Sequence, residues 1–406
     1  MSIRVTVCLI AYFVAGGVAA AADFGVTGFV DVRLVSPPAT DAYLDGGLGK
    51  LRYGADDPDP AIKLGDVIGE ATAVFGEAWS LQVDGRLNPE YGPAVDLLEA
   101  VARYAPKATN EWSWSVRAGA FFPPLSLENE QTGWSTFWTI TPSAINSWVG
   151  AELRTIGGEA TVQWRRNGTT LTVIGSLFGD NDPAGVLISD RGWTFDDRVT
   201  GLFEKSRLPD GVAAALHQSV PLQRHLFQEI DGAPGWYLDL SWETNDGSGV
   251  ELMRYDNSAD PTQRSANQFA WRTEFWDLGL RQQWGHVTLL AQAVRGSTLI
   301  RPTSTSFVET DFKSAYALVG WDLDDWWLAA RADLFQTRTR TAGPAPSLLS
   351  EDGYAFDVTA NWLPRRWLRL SAEYLLVEDR RAQRLLDGEA PQQTESQIQL
   401  VARTYL

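Results

Sequence analysis

Apolar and polar residues alternate with a period of two along much of the chain. From 326 to 335 one face carries Trp326, Leu328, Ala330, Ala332 and Leu334, and the other Trp327, Ala329, Arg331, Asp333 and Phe335. The same alternation sets Leu368, Leu370, Ala372, Tyr374 and Leu376 against Arg369, Ser371 and Glu373, and Trp112, Trp114, Val116, Ala118 and Ala120 against Ser113, Ser115 and Arg117. At 79 to 87, Trp79, Leu81, Val83 and Leu87 oppose Ser80, Gln82, Asp84 and Arg86. Successive side chains of a strand point to opposite faces, so these stretches predict strands with one wholly apolar face. In a water-soluble sandwich or propeller that face would be the core, and turns would be spaced alike at both strand ends.

Here the links are unequal. Short ones fall near 76–78, 105–110, 166–168, 245–248, 285, 323–325 and 364–366. Long ones fall near 36–65, 88–95, 122–147, 180–232, 258–267, 299–310, 339–352 and 379–392. Strict alternation of short and long links joins about sixteen strands and brings the last, 393–406, beside the first, 24–35. The expected fold is all-β: a transmembrane antiparallel β-barrel with short periplasmic turns and long external loops. Alternation slips at 250–256 and 268–284, where a bulge is expected, and Gly157 and Gly158 suggest a kink in a strand running from 148 to 166. Eleven of the 18 tryptophans lie close to short links: Trp79, Trp112, Trp114, Trp164, Trp242, Trp284, Trp321, Trp326, Trp327, Trp362 and Trp367. Their expected role is an aromatic girdle at headgroup level, with Asp324 and Asp325 turning the chain in the water beyond it.

The N-terminus supplies the address. Residues 1–22 carry one basic residue, Arg4, an apolar run too short for a membrane helix and an Ala-rich end, and read as a cleaved secretory signal before a barrel over 23–406. The single cysteine, Cys8, lies within that leader, and no later segment is apolar for long enough to span a membrane as a helix. The net charge of −17 argues against nucleic acid as a partner, because phosphates repel an acidic surface. The expected surroundings are outer-membrane lipid of a Gram-negative bacterium, with small hydrophilic solutes or ions as the cargo.

Candidate chemistry concentrates on the inward face. The alternation predicts Asp31, Arg33, Glu70, Asp84, Arg86, Glu99, Arg103, Arg117, Glu152, Arg154, Arg281, Arg331, Asp333, Arg369, Glu373 and Arg403 as pore-lining. A wall of both signs holds water and orients dipolar solutes, although such charges also pair to hold the sheet. Segment 122–147 is stiffened by Pro123, Pro124 and Pro142 and carries Glu128, Glu130, Trp134, Phe137 and Trp138, aromatics unsuited to an exposed tip. It is expected to fold inward as a constriction loop, with packing on a neighbouring subunit as the rival arrangement. The long external link 180–232 has short helical patterns over 196–217 that suit a cap. Neither a metal nor a cofactor is expected: Asp180, Asn181 and Asp182 gather oxygens but lack the later glycine and distant glutamate of a calcium loop. Enzymatic activity is not expected either, since His217 and His225 in the longest link come with no nucleophile motif and His286 adjoins a short turn.

The stretch "SVRAGAFFPPLSLENEQT" and the later "GAELRTIGGEATVQWRRNGTTLTVIGSLFGDND" resemble the outer-membrane porins related to the phosphate-selective porins O and P, chiefly over 115–182. The resemblance implies a sixteen-stranded, water-filled barrel, often a homotrimer, with its third loop folded in. It also implies pore lysines for phosphate, whereas Lys50, Lys63, Lys107, Lys205 and Lys313 form no inward cluster. The resulting expectation is a passive diffusion channel with a weak cation preference. The alternatives are an outer-membrane enzyme with a histidine at its rim and a plugged barrel acting as a surface receptor or adhesin.

Overall fold

The computed structural model describes residues 22–54, 58–90, 92–211, 222–265, 267–342 and 348–406. The expected leader before residue 22 and His217 lie outside the described residues. Among the described residues there are twenty strands: β1 (Ala22–Ser36), β2 (Ala61–Phe75), β3 (Trp79–Leu87), β4 (Val95–Tyr104), β5 (Trp112–Phe121), β6 (Thr155–Arg166), β7 (Thr169–Gly179), β8 (Lys205–Arg207), β9 (Gln223–His225) and β10 (Gly235–Thr244). They continue with β11 (Gly249–Asp256), β12 (Arg264–Ser265), β13 (Gln268–Phe269), β14 (Arg272–Trp284), β15 (Val287–Thr303), β16 (Ser306–Leu323), β17 (Trp326–Thr341), β18 (Glu351–Arg365), β19 (Leu368–Arg381) and β20 (Gln392–Tyr405). Sixteen form one closed antiparallel barrel, while β8–β9 and β12–β13 are small ribbons within long links. β20 pairs with β1 from Phe29↔Tyr405 to Ser36↔Ile398, so the sheet has no free edge.

The pleat sorts the residues. Along β17, Leu328, Ala330, Ala332 and Leu334 are exposed, whereas Ala329, Arg331, Asp333 and Phe335 are buried. Apolar outside and polar or mixed inside reverses the soluble arrangement, and lipid is the solvent that permits it. At the short-turn end, outward rings meet across strands: Trp79 with Tyr104 at 4.8 Å, Tyr104 with Trp114 at 5.6 Å, and Trp326 stacked on Trp362 at 5.5 Å. Trp327 departs from the expected girdle. It turns inward and meets Phe137 edge-on at 5.1 Å. Asp324 makes its turn with φ of 61°.

Three links differ from the sequence reading. Helix α1 (Ala144–Glu152) occupies part of the span read as a strand from 148, and β6 begins only at Thr155. Ser143 caps this helix, accepting the Asn146 N–H, and its local composition never alternated, which is the signal overlooked. The long link expected at 299–310 is a tight hairpin, because β15 and β16 run on to Thr303 and from Ser306. The slip near 268 comes from ribbon β12–β13 intervening; β11 and β14 pair without a bulge. A second short helix, α2 (Val186–Asp190), lies in the longest link.

Candidate functional site: the barrel interior

The interior is built from two inward-folded links set against the wall strands. Segment 122–152 lies along the inner faces of β16–β19. Arg331 is fully buried and donates to the Thr141 carbonyl at 2.7 Å, the Pro142 carbonyl at 3.1 Å and Asp333 at 2.8 Å, with Glu128 at 3.5 Å and Asp357 at 3.8 Å. Glu373 accepts the Ile140 and Thr141 N–H groups at 2.6 and 2.8 Å and the Thr141 hydroxyl at 2.6 Å. Arg369 donates to Asn361 at 2.7 Å and reaches the Thr136 and Thr139 carbonyls at 3.5 Å. Glu128 accepts the Ser143 N–H at the start of α1 at 2.7 Å, where the helix dipole favours a negative charge. An irregular segment at membrane depth is tolerable only if its backbone groups are satisfied, and these wall side chains do that.

The aromatics expected in this segment are placed by packing. Trp134 stacks on Phe122 at 4.1 Å. Trp138 crosses Phe137 at 5.0 Å and lies so close to β16 that a Cβ at Gly320 would come within 2.5 Å of its ring. Glu130 is partly exposed and pairs with Arg281, which also donates to the Leu127 carbonyl at 3.2 Å. Glu152 and Arg154 therefore do not alternate on a strand. Glu152 ends α1, accepting the Trp148 indole N–H at 2.6 Å and the Leu187 N–H at 2.8 Å, while the Arg154 guanidinium sits 3.4 Å over Phe122 and donates to the Thr200 carbonyl at 2.9 Å.

The longest link closes the other part of the interior. Arg33, Arg403 and Asp31 form one cluster, with Asp31 accepting at 2.9 Å from Arg33 and 2.8 Å from Arg403. Asp197, from the link, bridges Arg33 at 2.5 Å and Arg52 at 2.8 Å, and Glu204 takes Arg86 at 2.9 Å and also pairs with Arg198. Burial alone would raise the Asp197 carboxyl, yet the two guanidinium groups hold it well below the usual carboxylate range. Asp197, Glu204 and Arg52 were missed because they sit in links, where no periodicity marks a facing. A further cluster, Lys50 with Glu351 at 2.5 Å and Arg381 with Glu351 at 3.1 Å, was missed for the same reason at Lys50. Trp148, Trp193, Phe275 and Phe312 complete an apolar filling between the links.

Space remains on the opposite side. At the long-link end a cavity of about 660 Å³ is bordered by Val35, Tyr53, Lys63, Glu90, Lys205 and Arg207. Next to it, between Arg33, Arg86 and Arg403 on the wall and Gly133, Ser135 and Ile140 on the inner segment, about 20 Å³ is left, room for about one water. Towards the short turns, Glu70, Gln82, Glu99, Arg103 and Arg117 stay partly or fully exposed inside the barrel. Glu70, Asp84 and Glu99 stand directly opposite one another on β2, β3 and β4, with Gln82 donating to Asp84 at 3.3 Å. Among the described residues Arg103 reaches only Ser115, at 3.3 Å, and Arg117 forms a two-pronged pair with Glu159 at 2.7 and 2.8 Å.

At the rim, Asp180 makes its turn with φ of 55°, and Asp182 turns in to accept the Ile230 and Asp231 N–H groups at 2.5 and 3.1 Å. Asp182, Glu229 and Asp231 bring three carboxylates within 4.8 Å of one another. Burial, with Glu229 and Asp231 adding repulsion, pushes Asp182 up to about 7. A carboxyl raised in the fold above its unfolded value binds its proton more tightly when folded, so its contribution to stability is present at low pH and is lost as pH rises from about 4 towards about 7. Hydrogen exchange at residues 228–232 should accordingly be slower at pH 5 than at pH 8, and Asp182→Asn should remove that difference beyond the intrinsic pH effect. His225 stands on ribbon β9; burial and the nearby Lys205 lower its pKa, and its ring has no hydrogen-bond partner among the described residues.

No family model matches the chain, and no curated protein matches it. Solved structures do. The outer membrane channel DcaP of Acinetobacter baumannii aligns with a TM-score of 0.57 at 11% identity, covering 96% of this chain and 99% of that one. An anion-selective porin from Comamonas acidovorans aligns at 0.54 and 10% identity over 95% and 100%. The trimer form of OmpT, an outer membrane protein of Vibrio cholerae, aligns at 0.53 and 11% identity over 95% and 100%. The fold is that of the outer-membrane porins. Together with the apolar exterior, it makes this chain an outer-membrane barrel.

Proposed function

We propose that the protein is a narrow diffusion channel for small hydrophilic solutes and ions, without enzymatic activity, made as a secreted precursor and assembled as a homotrimer. The observation that carries this reading is the strip of partly or fully exposed polar side chains, Glu70, Gln82, Glu99, Arg103 and Arg117, inside the barrel, together with the cavity of about 660 Å³ at the long-link end and the gap of about 20 Å³ beside it. A kinship with the phosphate-selective porins O and P extends the fold likeness, but phosphate selectivity does not follow. Lys50 is buried against Glu351, Lys107 pairs with Glu77 on the exterior, and none of the lysines borders the narrow gap. The trimer form of one structural neighbour supports the homotrimer.

The balance of charge supports a weak cation preference. Arginines 33, 52, 86, 117, 281 and 331 are each paired with a carboxylate and Arg103, Arg154 and Arg369 have no ion-pair partner among the described residues, while on the acidic side Glu70, Asp84, Glu99, Asp239, Glu251 and Asp277 have none. Glu70 and Glu99, partly exposed inside the barrel, raise the local cation concentration, and screening over about 8 Å at physiological salt keeps the bias mild. A plugged barrel serving as a receptor is the second reading, favoured by the buried cluster of Trp148, Trp193, Phe275 and Phe312 inside the wall.

Planar-bilayer recordings separate the two. Small discrete conductance steps are expected, with a reversal potential in a KCl gradient displaced slightly towards the cation limit. Arg117→Ala, which removes the cation paired with Glu159 and leaves it, among the described residues, only the Tyr237 hydroxyl, should displace it further. Removing residues 125–143 should raise the conductance severalfold. Silence in both the full chain and the shortened one would overturn the channel and leave the receptor.

A further inference from the structure

The exterior carries one feature that pore function does not require. On the lipid face of β15 and β16, Arg295 and Lys313 stand directly opposite each other. Both are exposed, alternating with the inward Val294 and Phe312. Neither has an ion-pair or hydrogen-bond partner among the described residues. Like charges facing each other across strands destabilise a sheet, and this pair occurs in a chain with a net charge of −17 and few lysines.

Their surroundings define a depth. Trp276, opposite Arg295 on β14, is 53% exposed, and Arg254 beyond it, paired with Glu274, lies 5.5 Å from the centre of the Trp276 ring. Below the pair the outward positions are Ala293, Ala315, Ala317, Leu278 and Val319, ending at the girdle ring of Trp321. Eight residues separate Arg295 from Val287 at the short turn. With about 3.3 Å per residue and a tilt near 40°, that is roughly 20 Å, close to the far edge of an apolar band about 25 Å tall. Glu309 and Asp311 further along are taken up by Arg340 at 3.1 and 3.2 Å, so they do not neutralise the pair.

We propose that Arg295 and Lys313 together bind a phosphate of an outer-leaflet saccharolipid, with Trp276 beside the headgroup and the alanine-rich wall below taking the acyl chains. A shared phosphate turns the repulsion into two charge-assisted hydrogen bonds, one from a planar guanidinium and one from a compact ammonium. The apolar wall directly beneath favours a phosphate carried on lipid over a free one. Long links face outward from the cell, which selects the outer leaflet. The proposal is independent of whether the barrel conducts.

Native mass spectrometry of the detergent-solubilised full chain, titrated with bisphosphorylated lipid A, tests it. The wild type should retain the lipid. Arg295→Gln with Lys313→Gln should bind about tenfold more weakly, the loss expected for charge-assisted contacts of this kind. Lys313→Arg, which keeps the charge, should bind as the wild type does, and Lys107→Gln at the short-turn end should change nothing. Millimolar inorganic phosphate should not displace the lipid. Equal retention by the double variant, or equal binding of dephosphorylated lipid A, would overturn the site. Phosphatidylglycerol binding as tightly, with the same loss in the double variant, would overturn the saccharolipid assignment and leave a general anionic-lipid contact. Heat-modifiable gel migration of each variant establishes that the barrel has formed.

Discussion

Arg331→Met should release the inner segment from the wall and lower the stability of the assembled barrel by about 3–5 kcal/mol, the cost of stranding buried charges without their partner. Arg331 is the common partner of Glu128, Asp333 and Asp357 and also holds the Thr141 and Pro142 carbonyls. Methionine would leave those groups buried with nothing to compensate them. Urea unfolding of the refolded protein, read by tryptophan fluorescence, should show an earlier midpoint, and single channels should become larger and noisier. Adding Glu128→Gln and Asp333→Asn should recover part of the loss, because the penalty lies in the uncompensated charge. Arg103→Met is the comparison: Arg103 is exposed and among the described residues reaches only Ser115, so little should change. An unchanged midpoint for Arg331→Met would mean that the inner segment is seated by its aromatic contacts alone.

Ala330→Arg, one residue away, should act at an earlier stage and block assembly. Ala330 faces lipid between Val319 and Val358. An arginine near the middle of the apolar band costs about 2–4 kcal/mol, whereas Leu370→Arg on β19, level with Trp362 in the girdle, should be tolerated better. By its facing alone Ser371 is a tolerant inward control, but it is 7% exposed and bonded to Asn361 at 2.7 Å under the inner segment. Gln82 is the better control, since it is partly exposed and stands beside Glu70 and Asp84, so an added arginine gains partners there. The fraction that resists unfolding in cold SDS measures assembly. Equal yields for Ala330→Arg and Gln82→Arg would mean that the facing is reversed.

The two substitutions also show which features a sequence discloses. Facing in the regular strands was legible because a period of two is written into each strand by its own residues, as at 326–335. The barrel followed from counting links, and most of the wall charges from the same alternation. What fills the barrel was less legible. Helix α1 lay in a stretch read partly as strand, because nine residues carry little more than two turns of periodicity and Gly150 sits among them. Asp197 and Glu204 gave no signal, since a carboxylate in a link finds its arginine through the path of the whole loop. Trp327 was assigned to the girdle by proximity to a turn, but its partner Phe137 comes from a segment nearly two hundred positions earlier.

That last separation bears on how the molecule reaches its final form. The amides of Ile140 and Thr141 find their acceptor, Glu373, 233 and 232 positions later in the chain, and Glu128 meets Arg331 across 203. Contacts of such length form late, after the entropy of closing very large loops has been lost. Until β17–β19 are in place, the inner segment has no seat, and its amides and carboxylates must stay hydrated. The assembling cylinder therefore passes through a wide, wet stage, and its bore tightens only once β17–β19 stand opposite the inner segment.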